Sequence, residues 1–159
     1  MAKIERKYLA HYINTAKPGE SASYERLGKD LEEFKAELSA QVERKHNIMG
    51  QSRVVISGYE KTASVDTYYA DSGTDLFERL QDIVDKDLVL DDLKADVVEV
   101  KLWGQLTQGA YPAVKETVYI EVGSYGGDTT GYQIPFTIHY TGEKTVGLFD
   151  LRTKTFTES

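Results

Sequence analysis

The chain has 159 residues and a mass of 17.9 kDa, enough for one domain with its own core and short for two. Its formal net charge of −7 argues against a cationic nucleic-acid-binding protein, because neutralising phosphates needs clustered Lys and Arg. The lack of cysteine excludes disulfide scaffolds, thiolate metal sites and a cysteine nucleophile. No apolar run approaches the roughly 20 residues that span a bilayer.

The first half of the chain leaves two structural questions open. Residues 8–13 fit either a short strand or part of an N-terminal arm, 1–23, that orders on a neighbour. Residues 27–43 fit a helix, with Leu27, Leu31, Phe34, Leu38 and Val42 on one stripe, and residues 34–43 fit a strand by strict alternation. Their Glu, Lys and Ala content favours the helix.

The clearest helix is predicted at about residues 74–86. Asp75 and Glu78 are spaced like a capping box at its start. The predicted core face of this amphipathic helix consists of Leu76, Phe77, Leu80, Ile83 and Val84.

Alternating apolar and polar residues predict strands through the rest of the chain. These strands cover 54–59, 98–102, 114–122 and 132–140, with a hairpin turn at 141–144 before a strand at 145–150 and an edge strand at 153–157. Such alternation indicates antiparallel pairing with one face on a core. The predicted class is mainly β (α+β), an antiparallel β-sandwich or small barrel with one flanking helix, in a single domain over 1–159.

Charge is distributed unevenly along the chain. Residues 71–99 contain ten acidic and three basic residues, which account for the whole net charge. A solvated helix face explains such a cluster, and so does a surface that repels polyanions or meets a basic partner.

No motif for catalysis, a metal or a cofactor is found. His11, His46 and His139 are far apart and are interpreted as surface or strand-edge residues. The Asp128–Gly131 segment differs from the Asp-Thr-Gly motif of aspartic proteases by an extra threonine and has no second copy, so a loop is predicted. We therefore expect a protein that is not an enzyme and that needs no cofactor.

Five segments together resemble a known family. They are YERLGKDLEE at 24–33, VERKHNIMG at 42–50, SGYE at 57–60, SVDTYYA at 64–70 and GGDTTGYQIPF at 126–136. The set, in this order along nearly the whole chain, resembles the major tail tube proteins of long-tailed siphophages and prophages of Gram-positive bacteria.

This resemblance implies a structural virion protein with a β-sandwich fold and a flanking helix. Hexameric rings would stack into a hollow tube around a tape-measure protein, between tail-tip and tail-terminator proteins, and DNA would pass through during ejection. The protein would be made in the host cytoplasm, would need no membrane anchor and would reside in the virion tail.

The resemblance also assigns roles to segments. It implies a strand at 34–44 and an inter-ring loop or hairpin at 45–66, with Asn47, Ile48, Met49, Gly50 and Tyr59 as contact candidates. Edge strands that pair across subunits would serve assembly, and the first strands and residues 153–156 are candidates.

A conduit for DNA should not attract it, so a neutral or acidic lumen is expected. Glu37, Glu43 and Glu121 are therefore candidates for the lumen, although a solvated outer face explains their alternation equally well.

Other functions remain open from the sequence. The same fold could serve a phage-tail-like bacteriocin or a secretion device. A β-sandwich carbohydrate-binding module could use Trp103, Tyr111, Tyr119 and Tyr125 as a stacking platform, although core or interface positions suit these aromatics better.

Overall fold

The computed structural model describes residues 3–28, 31 and 33–158. Met1 and Ala2 of the predicted N-terminal arm lie outside the described residues. So do Lys29, Asp30 and Glu32 of the segment 24–33, and Ser159.

The described residues form ten strands and one α-helix. The strands are β1 (Leu9–Asn14), β2 (Tyr24–Arg26), β3 (Ala36–His46), β4 (Ser52–Val65), β5 (Lys94–Lys101), β6 (Tyr111–Val122), β7 (Gly126–Asp128), β8 (Gly131–Gln133), β9 (Phe136–Asp150) and β10 (Thr155–Glu158). The helix is α1 (Asp75–Lys86), and short 3-10 turns occupy Arg6–Tyr8 and Leu90–Leu93.

Eight strands form one antiparallel sheet. Seven follow the order β2-β1-β5-β6-β9-β4-β3, and β10 pairs with β9. Strands β7 and β8 form a separate two-stranded sheet. The predicted class is confirmed: the fold is mainly β, antiparallel and sandwich-like, with one helix. Strand β1 lies between β2 and β5, so residues 9–14 belong inside the sheet rather than to an arm or an outer strand.

The central strands bury both faces of the sheet. Along β5, Ala95 and Val97 pack into a core beneath α1, whereas Val98 and Val100 pack into a second core on the opposite face. Phe149 of β9 is completely buried in this second core. The alternation of side chains along a strand separates the two cores.

Helix α1 occupies the predicted residues, but its N-terminal cap differs from the prediction. The hydroxyl of Thr74 accepts the amide of Phe77 at 3.3 Å, so Thr74 is the cap and the Asp75–Glu78 capping box is wrong. Leu76, Leu80 and Ile83 are buried, while Phe77 and Val84 are half-buried. These are the five residues predicted for the core face.

Two predicted boundaries near the C-terminus are wrong. Residues 141–144 do not form a turn, because β9 runs without interruption from Phe136 to Asp150. Thr117 of β6 faces three residues of β9 at this point, which makes a bulge at Gly142 with φ +96°. The strand predicted at 132–140 is divided between β8 and β9 around Pro135.

Candidate assembly surface

Strands β3 and β4 form a long hairpin that leaves the body of the protein. Strand β4 pairs with β9 only over Thr62–Val65, whereas it pairs with β3 from Ser52 to Ala63. Residues 38–61 therefore form a two-stranded ribbon, which we call the arm. The strand predicted at 34–44 is observed as β3, and the segment 45–66 contains the turn and β4.

One face of the arm carries an exposed apolar stripe. Its residues are each between 51% and 61% exposed: Leu38, Val42, Val54, Ile56 and Tyr59. Val42 lies directly opposite Ile56, which places both on the same face. Exposed apolar side chains grouped on one face in this way are typical of an interaction surface.

A β-bulge completes the stripe. Gln41 pairs with Gly58 and Val42 with Ile56, so Ser57 is an extra residue in β4. Without this insertion, Tyr59 would point away from Ile56, because their sequence separation is odd. The contact candidate Tyr59 thus joins the stripe through a feature of the pairing that alternation alone does not reveal.

The end of the arm is a turn organised by Asn47. The Asn47 side-chain oxygen accepts the amides of Met49 at 3.0 Å and Gln51 at 3.1 Å, and Gly50 adopts φ +78°. Ile48 and Met49 then project fully, at 106% and 77% exposed. Asn47 and Gly50 therefore shape the turn, while Ile48 and Met49 are the exposed members of the predicted contact set.

The base of the arm is held by a buried ion pair. Lys61 Nζ lies 2.9 Å from Oε1 of Glu116, whose side chain is 4% exposed. The same ammonium lies 4.5 Å from the ring centre of Tyr140, and burial, with the nearby Glu116 and Glu99 charges, raises the pKa of that phenol. An open cleft of about 640 Å³ adjoins this pair, with Leu38 and Tyr59 also in its wall.

A second buried pair lies on the same face of the sheet. His11 Nε2 is 3.4 Å from Glu99 Oε1, and the imidazole packs 4.6 Å from the ring of Phe34. A hydrogen bond from His11 and its charge hold the pKa of Glu99 below its usual value, against the effect of burial. His11 is 4% exposed on β1, which lies between β2 and β5, so its interpretation as a surface or edge residue is wrong.

The three lumen candidates lie on the opposite face of the sheet, in a polar part outside the second core that we call the polar face. Glu37 pairs with Thr62, which in turn pairs with His139. His139 Nε2 lies 3.2 Å from Glu121 Oε1 on that face. Glu43 follows Glu37 at an even spacing along β3 and lies on the same side of the arm.

The aromatic residues considered for carbohydrate binding do not form one platform. Tyr111 and Tyr119 lie at opposite ends of β6, about 26 Å apart at the usual strand rise. Tyr111 packs against the second core, and the Tyr119 hydroxyl donates to Asp91 at 3.4 Å. Trp103 and Tyr125 are exposed, on separate loops.

The remaining chemistry of the described residues is limited. Within 3–28, 31 and 33–158, no group of three His, Asp or Glu side chains is placed to hold a metal ion. The Asp128 carboxylate accepts the Thr130 amide at 2.8 Å, so this segment is a turn between β7 and β8, as its loop interpretation predicted.

Comparison with protein-family models and with curated proteins finds no match to this sequence. Across the described part of the chain, no helix is long and apolar enough to cross a membrane.

Proposed function

We propose that this chain is the subunit of a phage tail tube, a structural protein that assembles with its own copies into stacked hexameric rings. The observation that carries the proposal is the exposed stripe on an arm whose base is held to the body by the Lys61–Glu116 pair. Apolar side chains on an isolated two-stranded ribbon have no core of their own, so a second protein surface must cover them.

The two faces of the sheet suit a tube wall. The stripe faces one way, and the polar face with Glu37, Glu43 and Glu121 faces the other. A wall needs one surface for packing between subunits and one that leaves passing DNA unbound. Tape-measure, tail-tip and tail-terminator proteins are the partners that follow from the resemblance, and the virion tail is the location.

Negative-stain electron microscopy of the purified full chain tests the proposal. We expect hollow rings or tubes with sixfold symmetry as the concentration is raised. A chain that remains monomeric at every concentration, and also with a tail-tip initiator added, contradicts the proposal.

The stripe itself is tested by the double variant Val42→Ser and Ile56→Ser. Both side chains are more than half exposed, so we expect a change below about 0.5 kcal/mol in the free energy of unfolding and a loss of assembly. A matched control on the other face of the same arm, Ser39→Ala with Gln41→Ser, should assemble as the wild type does. Equal assembly of both variants contradicts a role for the stripe.

A further inference from the structure

We propose that the end of the arm of one copy docks on the acidic segment at the C-terminal end of α1 in the next copy. The arm tip is defined here as residues 44–53 and the acidic segment as residues 85–92. This inference rests on the proposed self-assembly and names the two surfaces that join successive copies.

The arm tip is basic and apolar. It contains Arg44, Lys45 and Arg53 and no acidic residue. Lys45 and Arg53 lie directly opposite each other across the two strands, where like charges repel, and Glu43, just outside the tip, lies 4.0 Å from Lys45 and offsets this repulsion in part. An acidic partner surface relieves this repulsion, and the exposed Ile48 and Met49 indicate that the partner is also apolar.

The acidic segment has the complementary character. Val89 and Leu90 are 61% and 80% exposed on the protein surface. The four acidic residues around them are all exposed: Asp85, Asp87, Asp91 and Asp92. Lys86 is the only basic residue there, so the net charge of the segment is opposite to that of the tip.

The C-terminal end of α1 adds to the negative electrostatic potential of the acidic segment. Asp87 caps the helix in a left-handed conformation, and the C-terminus of a helix carries partial negative charge. Each surface therefore consists of an exposed apolar pair among charges that are mainly of one sign, and the sign of the net charge is reversed between the two surfaces.

A second copy fits these features better than a nucleic acid does. A phosphate backbone would satisfy the basic residues of the tip but would leave Ile48 and Met49 in contact with water. Because tip and segment are different surfaces of one chain, their contact is heterologous, and such a contact forms a closed ring or an open stack according to whether its rotation closes. In the proposed tube this contact is the open one, which stacks successive rings along an axis.

The experiment uses charge reversal in the full chain. The tip variant is Arg44→Glu with Arg53→Glu, and the segment variant is Asp87→Lys with Asp91→Lys. We expect each to raise the concentration at which stacks form by about tenfold or more, leaving separate rings in electron micrographs. The chain that carries all four changes should regain stacking, because the attraction is restored with its signs exchanged.

A matched control reverses two basic residues elsewhere, Lys3→Glu with Arg152→Glu. Both are exposed, and the net charge changes as it does in the tip variant. This control should stack as the wild type does. Raising salt from about 0.05 M to about 0.5 M should weaken stacking of the wild type and of the four-change chain alike.

The outcomes separate the two proposals. If the tip variant and the segment variant both stack as the wild type does, the inference is wrong and the tube function still stands. The same conclusion follows if the four-change chain fails to stack although both parent variants fold. A wild-type chain that never forms rings overturns both. Wild-type binding of a labelled DNA duplex that the tip variant loses would make the tip a nucleic-acid contact and overturn the inference.

Discussion

Arg79 is the buried cation of α1, with 3% of its surface exposed. Its guanidinium donates to three backbone carbonyl oxygens: Ala16 at 2.6 Å, Asp92 at 3.1 Å and Lys94 at 2.9 Å. Burial lowers its pKa, and the neighbouring acidic side chains oppose that effect. One side chain thus ties the helix to the loop after β1 and to the start of β5.

We expect Arg79→Met to lower the free energy of unfolding by about 3 kcal/mol, because it leaves three carbonyls without a donor. Urea unfolding followed by tryptophan fluorescence measures this change. The control Lys86→Met, at an exposed position of the same helix, should change stability by less than about 0.5 kcal/mol. Equal effects of the two variants contradict the role given to Arg79.

The His11–Glu99 pair predicts how stability depends on pH. The pKa of Glu99 is lower in the folded chain than its value of about 4.3 in an unfolded one. The stabilisation is therefore present above about pH 4.3 and is lost as the pH falls through the lowered folded pKa.

Between about pH 5 and pH 3, we expect the wild type to lose stability more steeply than Glu99→Gln. His11→Gln should reduce the slope in the same way, because the hydrogen bond from His11 is the main cause of the shift. Unfolding midpoints in urea at successive pH values provide the comparison. An unchanged slope in both variants contradicts the prediction.

At the scale of elements, the C-terminal strand depends on a close approach at Gly147. A Cβ on this residue would lie 2.2 Å from the carbonyl oxygen of Thr157 and 2.7 Å from the ring of Phe156. Both contacts are with β10, which pairs with β9 here. Only glycine allows the two strands to lie together with Phe156 folded over them.

We expect Gly147→Ala to displace β10 while the rest of the sheet remains folded. Hydrogen exchange should show lost protection at residues 155–158 and unchanged protection in β5 and β6. The control variant Gly142→Ala, at the exposed bulge of β9, has open space around its Cβ but a φ of +96°, so it should strain the bulge without releasing β10. Protection of β10 that survives Gly147→Ala contradicts this expectation.

At the scale of the whole molecule, acidic residues lie on two separate surfaces, and one of these surfaces is the candidate wall of the channel for DNA. The polar face carries Glu37, Glu43 and Glu121, while the acidic segment lies at the C-terminal end of α1. If the polar face lines the lumen, then Glu37→Lys, Glu43→Lys and Glu121→Lys should make the tube hold DNA, because added cations neutralise phosphates.

Assembly in the presence of short duplex DNA, followed by nuclease digestion, measures this retention. We expect the triple variant to protect DNA and the wild type to leave it open to digestion. A control with three reversals on exposed acidic residues away from that face, Glu5→Lys, Glu20→Lys and Glu78→Lys, should bind DNA without protecting it. Protection by the control alone would place the lumen on another face.

Much of the fold was predictable because its elements have strong local patterns. The spacing of Leu76, Leu80 and Ile83 predicted α1, and alternation predicted β5, β6 and the first part of β9. Residues 34–43 satisfied two periods at once, and only pairing of β3 with β4 decides for the strand. The resemblance indicated Asn47, Ile48, Met49 and Gly50 as contact candidates. The structure shows that Asn47 and Gly50 shape the turn, whereas Ile48 and Met49 are exposed.

The sequence by itself determined the mainly β class, the position of the one helix and the concentration of acidic residues in 71–99. Only the tertiary structure decided that Tyr59 joins the stripe, that Arg79 and His11 are buried, and that β9 continues through Gly142. Each of these depends on the register of strands or on partners that are far apart in the chain. Periodicity reports which residues can share a face, but the contacts between distant segments fix which face is covered.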